Sequence, residues 1–169
     1  MKDDEMEILL VEDDPRDAAL TLRALQAENV RNRIEVVRDG EEALDFLFCR
    51  GVYSGRSPNH LPKLVLLDLK LPKVDGLEVL KEIKASPECQ TTPVVILTSS
   101  AEQRDVLESY KLGVNSYIQK PVDIEQFRQT IKTLGLYWLV VNRPPPDKTL
   151  ADQRGTEAKV PGWGKCGNP

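Results

Sequence analysis

The sequence predicts an α/β fold: a doubly wound, five-stranded parallel sheet covered by helices on both faces. Two observations predict it. Five short strand-like segments, Ile8 to Val11, Ile34 to Val37, Leu64 to Leu67, Pro93 to Leu97 and Asn115 to Gln119, alternate with five stretches whose apolar residues recur at helical spacing. The third segment, LVLL, is apolar at every position, which is the pattern of a strand buried on both faces of a parallel sheet.

Each element has its own warrant. The first strand ends in Glu12, Asp13 and Asp14, and Pro15 follows. Asp14 before Pro15 is a helix start, with an oxygen to accept from the first free amides and then a residue whose φ is already helical. Ala18, Leu22 and Leu25 form the inner face of that helix. Asp39, Gly40 and Glu42 open the second helix in a capping-box-like pattern, Ala43, Leu44, Leu47 and Phe48 turn inward, and Gly51 is the expected C-terminal cap. Val52 to Pro62 reads as a long polar loop by the standard of α/β connections. The third helix spans Gly76 to Ala85, with Leu77, Leu80 and Ile83 inward. The fourth spans Ala101 to Leu112 and is closed by Gly113. Asp123 caps the fifth, in which Phe127, Ile131, Leu134 and Trp138 recur at helical spacing.

Composition narrows the class. The chain has 169 residues, 40% of them hydrophobic and 30% charged, which fits one soluble domain with a real core plus an extension. A net charge of -4 argues against a nucleic-acid or anionic-membrane surface. No apolar run approaches the roughly 20 residues that a membrane span needs. The N-terminus is acidic and lacks a signal-peptide pattern. Cys49, Cys89 and Cys166 are too widely spaced for a metal site and odd in number, which fits a reducing cytoplasm. His60 is the single histidine, so a multi-histidine metal centre is excluded.

Right-handed crossovers leave few topologies for five strands, and the flavodoxin-like order 2-1-3-4-5 is the expected one. In that order the carboxyl ends of strands 1, 3, 4 and 5 bring together Glu12 and Asp13, Asp68, Thr98 and Lys120. Three carboxylates in one crevice repel unless a cation neutralises them. An all-oxygen set with few protein ligands suits Mg²⁺, which keeps several waters and shares phosphate oxygens. A hydroxyl and an ammonium opposite the metal complete a receptor for a phosphoryl group. Asp68 would be the nucleophile, and the metal would be held by Asp13, Asp68 and a backbone carbonyl, most simply that of Lys70.

At this point the sequence resembles the receiver domains of two-component response regulators, over Glu7 to Val141. The acidic pair stands in LLVEDD, the phosphoacceptor in LLDLKLP, the switch hydroxyl in ILTSS and the lysine in YIQKP. Thr98 follows Asp68 by 30 residues and Lys120 follows Thr98 by 22, as in chemotaxis-type members. The resemblance implies a phosphoryl transfer from a sensor histidine kinase to Asp68. It further implies Mg²⁺ held directly by Asp13 and through water by Glu12, a switch pair of Thr98 and Tyr117, and a cis Lys120–Pro121 bond. The long loop, LPKVDG, VVILTSS and the aromatic LGLYWLVV resemble the regulators partnered with bacterial and cyanobacterial phytochromes. A phosphorylation-independent pseudo-receiver scaffold is the alternative, and the intact residue set argues against it. A haloacid-dehalogenase-like phosphatase would need a second acid where Lys70 stands, and a P-loop NTPase would need a glycine-rich phosphate loop that is absent.

The C-terminal part has two expected components. The receiver spans residues 6–141, and residues 142–169 are a Pro/Gly-rich arm or tail, too short for a DNA-binding output domain. Leu136, Tyr137, Leu139, Val140 and Val141 point in the directions that the inner stripe of the fifth helix does not use, so they predict a homodimer interface.

Overall fold

The computed structural model describes residues 6–26, 33–121 and 123–145. Five strands, β1 (Met6–Val11), β2 (Arg33–Val37), β3 (Leu64–Leu67), β4 (Val94–Thr98) and β5 (Ser116–Gln119), form one sheet. Its order is β2-β1-β3-β4-β5, and every neighbouring pair is parallel. The predicted topology is therefore the observed one. Five α-helices alternate with the strands: α1 (Pro15–Gln26), α2 (Gly40–Leu47), α3 (Gly76–Ala85), α4 (Gln103–Lys111) and α5 (Ile124–Leu136).

Alternation along each strand divides the core in two. Leu9, Val11, Val65, Leu67, Val94 and Ile96 face α2 and α3, where they meet Ala43, Phe46, Val79, Leu80 and Ile83. Ile8, Leu10, Leu64, Leu66, Val95 and Leu97 face the other way, onto Ala18 and Leu25 of α1 and Phe127, Ile131 and Leu134 of α5. A period of two on a sheet buried on both sides requires apolar residues at every position, and β3 and β4 are buried at each one.

Side-chain caps set where the helices begin. The Asp14 carboxylate accepts from the Arg16 amide at 2.8 Å, Asp39 from Glu42 at 2.8 Å, Asp75 from Glu78 at 3.0 Å and Asp123 from Gln126 at 2.9 Å. The Glu42 carboxylate returns to the Arg38 amide, one residue earlier than a reciprocal capping box would have it.

Several expectations are corrected. The end of α2 is not made by Gly51. The left-handed turn falls on Cys49 (φ 54°), and Gly51 (φ 53°) opens a 3₁₀ turn over Gly51–Tyr53. Phe46, which the pattern did not mark, is the main core residue of α2, while Leu44 and Phe48 are only half-buried. The loop after it is anchored rather than merely polar. The Arg56 guanidinium lies 3.5 Å from the Phe46 ring centroid and donates to the carbonyls of Phe46 and His60. The Tyr53 hydroxyl donates to Glu42 at 2.8 Å. In α4 the apolar Leu107 and Tyr110 are 56% and 54% exposed, and Ser109 is its one buried residue. After Leu136 the chain widens into a π turn over Tyr137–Val141. The tail from residue 146 onward, Trp163 included, lies outside the described residues.

Candidate functional site

Parallel strands end together, and the site is built on those ends. Val11 and Leu67 are register partners, so Glu12 and Asp68 follow as the next residues of adjacent strands. Their amides are already used by the sheet edge: Glu12 N–H donates to the Val37 carbonyl at 3.0 Å and Asp68 N–H to the Val11 carbonyl at 3.1 Å. Lys120 N–H donates to the Thr98 carbonyl at 2.7 Å, which fixes the end of β5 against that of β4. The backbone thus holds all four positions before any side-chain interaction is considered.

Gly76 provides the clearance. A Cβ there would overlap the Asp68 carbonyl oxygen and lie 2.6 Å from Leu69 Cα, so only glycine lets α3 start directly against the Asp68 backbone. Its amide donates to the Leu69 carbonyl at 2.8 Å.

Glu12, Asp13 and Asp68 each place a carboxylate oxygen within 4.8 Å of the others. Glu12 and Asp68 are buried and Asp13 is exposed. An all-oxygen cluster of three carboxylates with one side open to water is suited to a divalent cation of the Mg²⁺ or Mn²⁺ type. The Lys70 amide donates to Asp68 Oδ1 at 3.3 Å, and Glu12 Oε1 accepts from the Asp14 amide at 3.1 Å.

Lys120 sits deeper among the acids than the sequence suggests. Its Nζ lies 2.6 Å from Glu12 Oε2, 2.8 Å from Asp17 Oδ2 and 3.0 Å from Asp68 Oδ2, and its side chain is 9% exposed. An ammonium has three protons to donate, and all three have carboxylate acceptors. Burial acts to lower the Lys120 pKa, but the hydrogen bonds to Asp17 and Glu12 and the charge of Asp68 outweigh it and push it up. Glu12 is shifted the other way for a carboxylate: burial, with the charge of Asp68 added, raises it to about 7 against the pull of Lys120. The Lys120–Pro121 bond is trans, since no peptide bond among the described residues is cis. A trans X–Pro bond is the lower-energy form, and the three carboxylates direct the lysine.

Thr98 is fully buried, and its hydroxyl oxygen accepts from the Ser100 amide at 3.3 Å. The Tyr117 hydroxyl donates to the Ser100 carbonyl at 3.0 Å, and Ser100 Oγ donates to Asp105 at 2.5 Å. One short loop therefore links the end of β4 to β5 and to the start of α4.

Comparison with known proteins agrees with this geometry. Residues 8–132 match the model of the response regulator receiver domain. The chain belongs to the response regulator receiver family. It is 46% identical over 138 residues to the "Probable methanogenesis regulatory protein FilR2" of Methanothrix harundinacea (strain 6Ac), covering 82% of this chain and 86% of that protein. It is 40% identical to the phosphorylated cyanobacterial phytochrome response regulator RcpA, with a TM-score of 0.79 and coverage of 85% of this chain and 100% of that one. It is 50% identical to the bacteriophytochrome response regulator RtBRR, with a TM-score of 0.67 and coverage of 88% and 89%. The receiver's place is in a two-component phosphorelay, and regulators of phytochromes are among its relatives.

The structure brings together the residues that the sequence singled out: Glu12, Asp13, Asp68, Thr98 and Lys120 at the strand ends, with Lys70 and Tyr117 beside them. Leu136, Tyr137, Leu139, Val140 and Val141 are elsewhere, at the end of α5. Sequence reasoning missed Asp17, whose position in the first turn of α1 reads as an ordinary dipole-favourable acid. It also missed Ser100 and Asp105, which carry no pattern of their own.

Proposed function

We propose that this protein accepts a phosphoryl group from the phosphohistidine of a sensor histidine kinase onto Asp68. The observation that carries the reading is the convergence of Glu12, Asp13 and Asp68 on one point, with Lys120 in contact with two of them. An Asp68 carboxylate oxygen attacks phosphorus, the P–N bond to imidazole breaks, and the leaving nitrogen keeps the electron pair. Glu12, Asp13, Asp68 and the Lys70 carbonyl would hold Mg²⁺. Bound there, the cation neutralises the charge of the transferring group. Lys120 supplies a second positive charge to the phosphoryl oxygens, and Thr98 donates its hydroxyl to one of them. Hydrolysis reverses the bond change: water attacks phosphorus, the P–O bond to Asp68 breaks and inorganic phosphate leaves. The protein is a signalling switch rather than a dedicated enzyme, although it catalyses both steps on itself.

Thr98 and Tyr117 would form the readout. As Thr98 turns to the phosphoryl oxygen, the loop at Ser100 shifts, and the Tyr117 hydroxyl that is bonded to it follows. A bacteriophytochrome kinase is the favoured donor, on the likeness to RcpA and RtBRR. The protein would act in the cytoplasm without nucleic-acid or membrane contact. Among the described residues no helix is long and apolar enough to cross a membrane.

Residues 6–141 would form the receiver, and residues 142–169 its Pro/Gly-rich extension, which from residue 146 onward lies outside the described residues. Leu136, Tyr137, Val140 and Val141 are exposed and Leu139 is partly so, which leaves an apolar surface for a two-fold partner. Deleting Leu136 onward should leave a monomer that still accepts phosphate, because the site lies at the strand ends and not on this surface. Light scattering that gives a 19.0 kDa monomer for the full chain would refute the dimer.

The acceptor is tested with Asp68→Asn, which keeps shape and removes the nucleophile. It should take up no label from a phosphorylated kinase or from acetyl phosphate with Mg²⁺. Stoichiometric labelling of that variant would overturn the assignment, and a higher rate from a non-phytochrome kinase would overturn the pairing.

A further inference from the structure

We propose that Asp17 is a positioning residue for Lys120, holding its ammonium when Glu12 and Asp68 turn to a divalent cation. The inference rests on the metal reading above and adds a residue to it.

Three observations carry it. First, Asp17 Oδ2 is 2.8 Å from Lys120 Nζ, as close a partner as Glu12 and Asp68, although it comes from α1 and not from a strand end. Second, Asp17 is not in the metal-suited group, which is Glu12, Asp13 and Asp68. Third, Lys120 and the cation need the same ligands, because Glu12 and Asp68 belong to both sets.

The consequence follows from charge. A cation that enters the group draws the Glu12 and Asp68 carboxylates and repels the ammonium. Lys120 is 9% exposed, so water cannot replace what it loses, and an unpaired charge at that depth is costly. Asp17 removes that obstacle. Its side chain is 35% exposed, which leaves it free to move with the lysine at the mouth of the site. Its helix does not depend on it, because Asp14 caps the first turn. Lysine and metal can then occupy the site together, which is the state that phosphoryl transfer requires.

Calorimetric Mg²⁺ titration of the unphosphorylated protein tests the role, with each variant first shown to be folded by circular dichroism. Asp17→Asn should weaken Mg²⁺ binding about tenfold, because Glu12 and Asp68 still pair the ammonium in the metal-free protein, whereas once they turn to the cation only Asp17 is left to pair it. In a Lys120→Met background the same substitution should change affinity by less than about threefold, because only its through-space charge remains. Asp17→Glu keeps a carboxylate within reach of the flexible lysine and should stay within about threefold of wild type. An equal loss from Asp17→Asn with and without Lys120 would overturn the inference, because it would make Asp17 a background charge only. A loss in Asp17→Glu equal to that in Asp17→Asn would overturn it as well. A wild-type protein that binds no Mg²⁺ would instead overturn the metal reading, and this inference with it.

Discussion

Lys120, which follows β5, and Lys84, near the end of α3, are partly buried lysines that reach opposite ends of the sheet. Each has three oxygen acceptors. Lys120, at the carboxyl ends of the strands, has carboxylates at 2.6, 2.8 and 3.0 Å. Lys84, at the amino ends, has the Thr92 carbonyl at 3.1 Å, the Gln90 carbonyl at 3.2 Å and the Asn115 amide oxygen at 3.4 Å. The acceptor count is the same and the charge differs. Three carboxylates outweigh burial and raise the Lys120 pKa, whereas burial lowers that of Lys84. A carboxylate can exchange an ammonium for a metal ion. A backbone carbonyl at a loop end has its geometry fixed by the fold. One end of the sheet is therefore built for exchange, and the other is built to be held. Asn115 shows the second case: its side-chain oxygen also accepts from the Val94 amide at 2.9 Å, so Lys84 ties the start of β4 to the start of β5 through it.

The contrast can be broken by experiment. The largest effect is expected from Lys120→Met without divalent cations, which leaves buried carboxylates without a counter-charge and should cost about 3–5 kcal/mol in urea unfolding. Saturating Mg²⁺ should relieve most of that loss, and a loss unaffected by Mg²⁺ would show that the two ends are alike. Lys84→Met should cost less, about 1–2 kcal/mol, because neutral acceptors are less penalised when left alone. That cost should be the same with and without Mg²⁺.

The third expectation sharpens the exchange end by pH. The Glu12 pKa is raised from 4.5 to about 7 in the folded protein. Without metal, its contribution to stability is therefore full below 4.5 and is lost as pH rises through about 7. A cation needs the ionised carboxylate, so stabilisation by Mg²⁺ should grow from about pH 5.5 to about pH 8. Thermal melts with and without Mg²⁺ across that range check it, and a flat difference would contradict the exchange of proton for metal. The smallest effect is a control away from both lysines. Asp39→Ala removes the α2 cap and should cost about 1 kcal/mol at neutral pH. The hydrogen bond from the Glu42 amide and the ion pair with Lys73 outweigh burial and hold Asp39 below 3.8. Its contribution is thus present above that value and is lost as pH falls through the lower one. Mg²⁺ should not change it.

Much of the molecule was legible in the sequence because its signals are local. β3 and β4 show continuous apolar runs, and Asp14, Asp39 and Asp123 announce helix starts by their chemistry. Once alternation implied a parallel sheet, the order of strands brought Glu12, Asp68, Thr98 and Lys120 to one edge without any side-chain information. What the sequence alone determined was thus the topology and the membership of the strand-end cluster, both of which follow from periodicity and from the handedness of crossovers. Tertiary structure decided which cluster members pair, because pairing depends on distances across the fold. Only in three dimensions does Lys120 lie among Glu12, Asp17 and Asp68. Only there do two backbones approach so closely that Gly76 admits no Cβ beside Asp68, and only there does Cys49 take the left-handed turn assigned to Gly51. Helix and strand periodicity record which face is apolar. They carry no record of what a polar side chain meets from another element, and the site consists of such meetings.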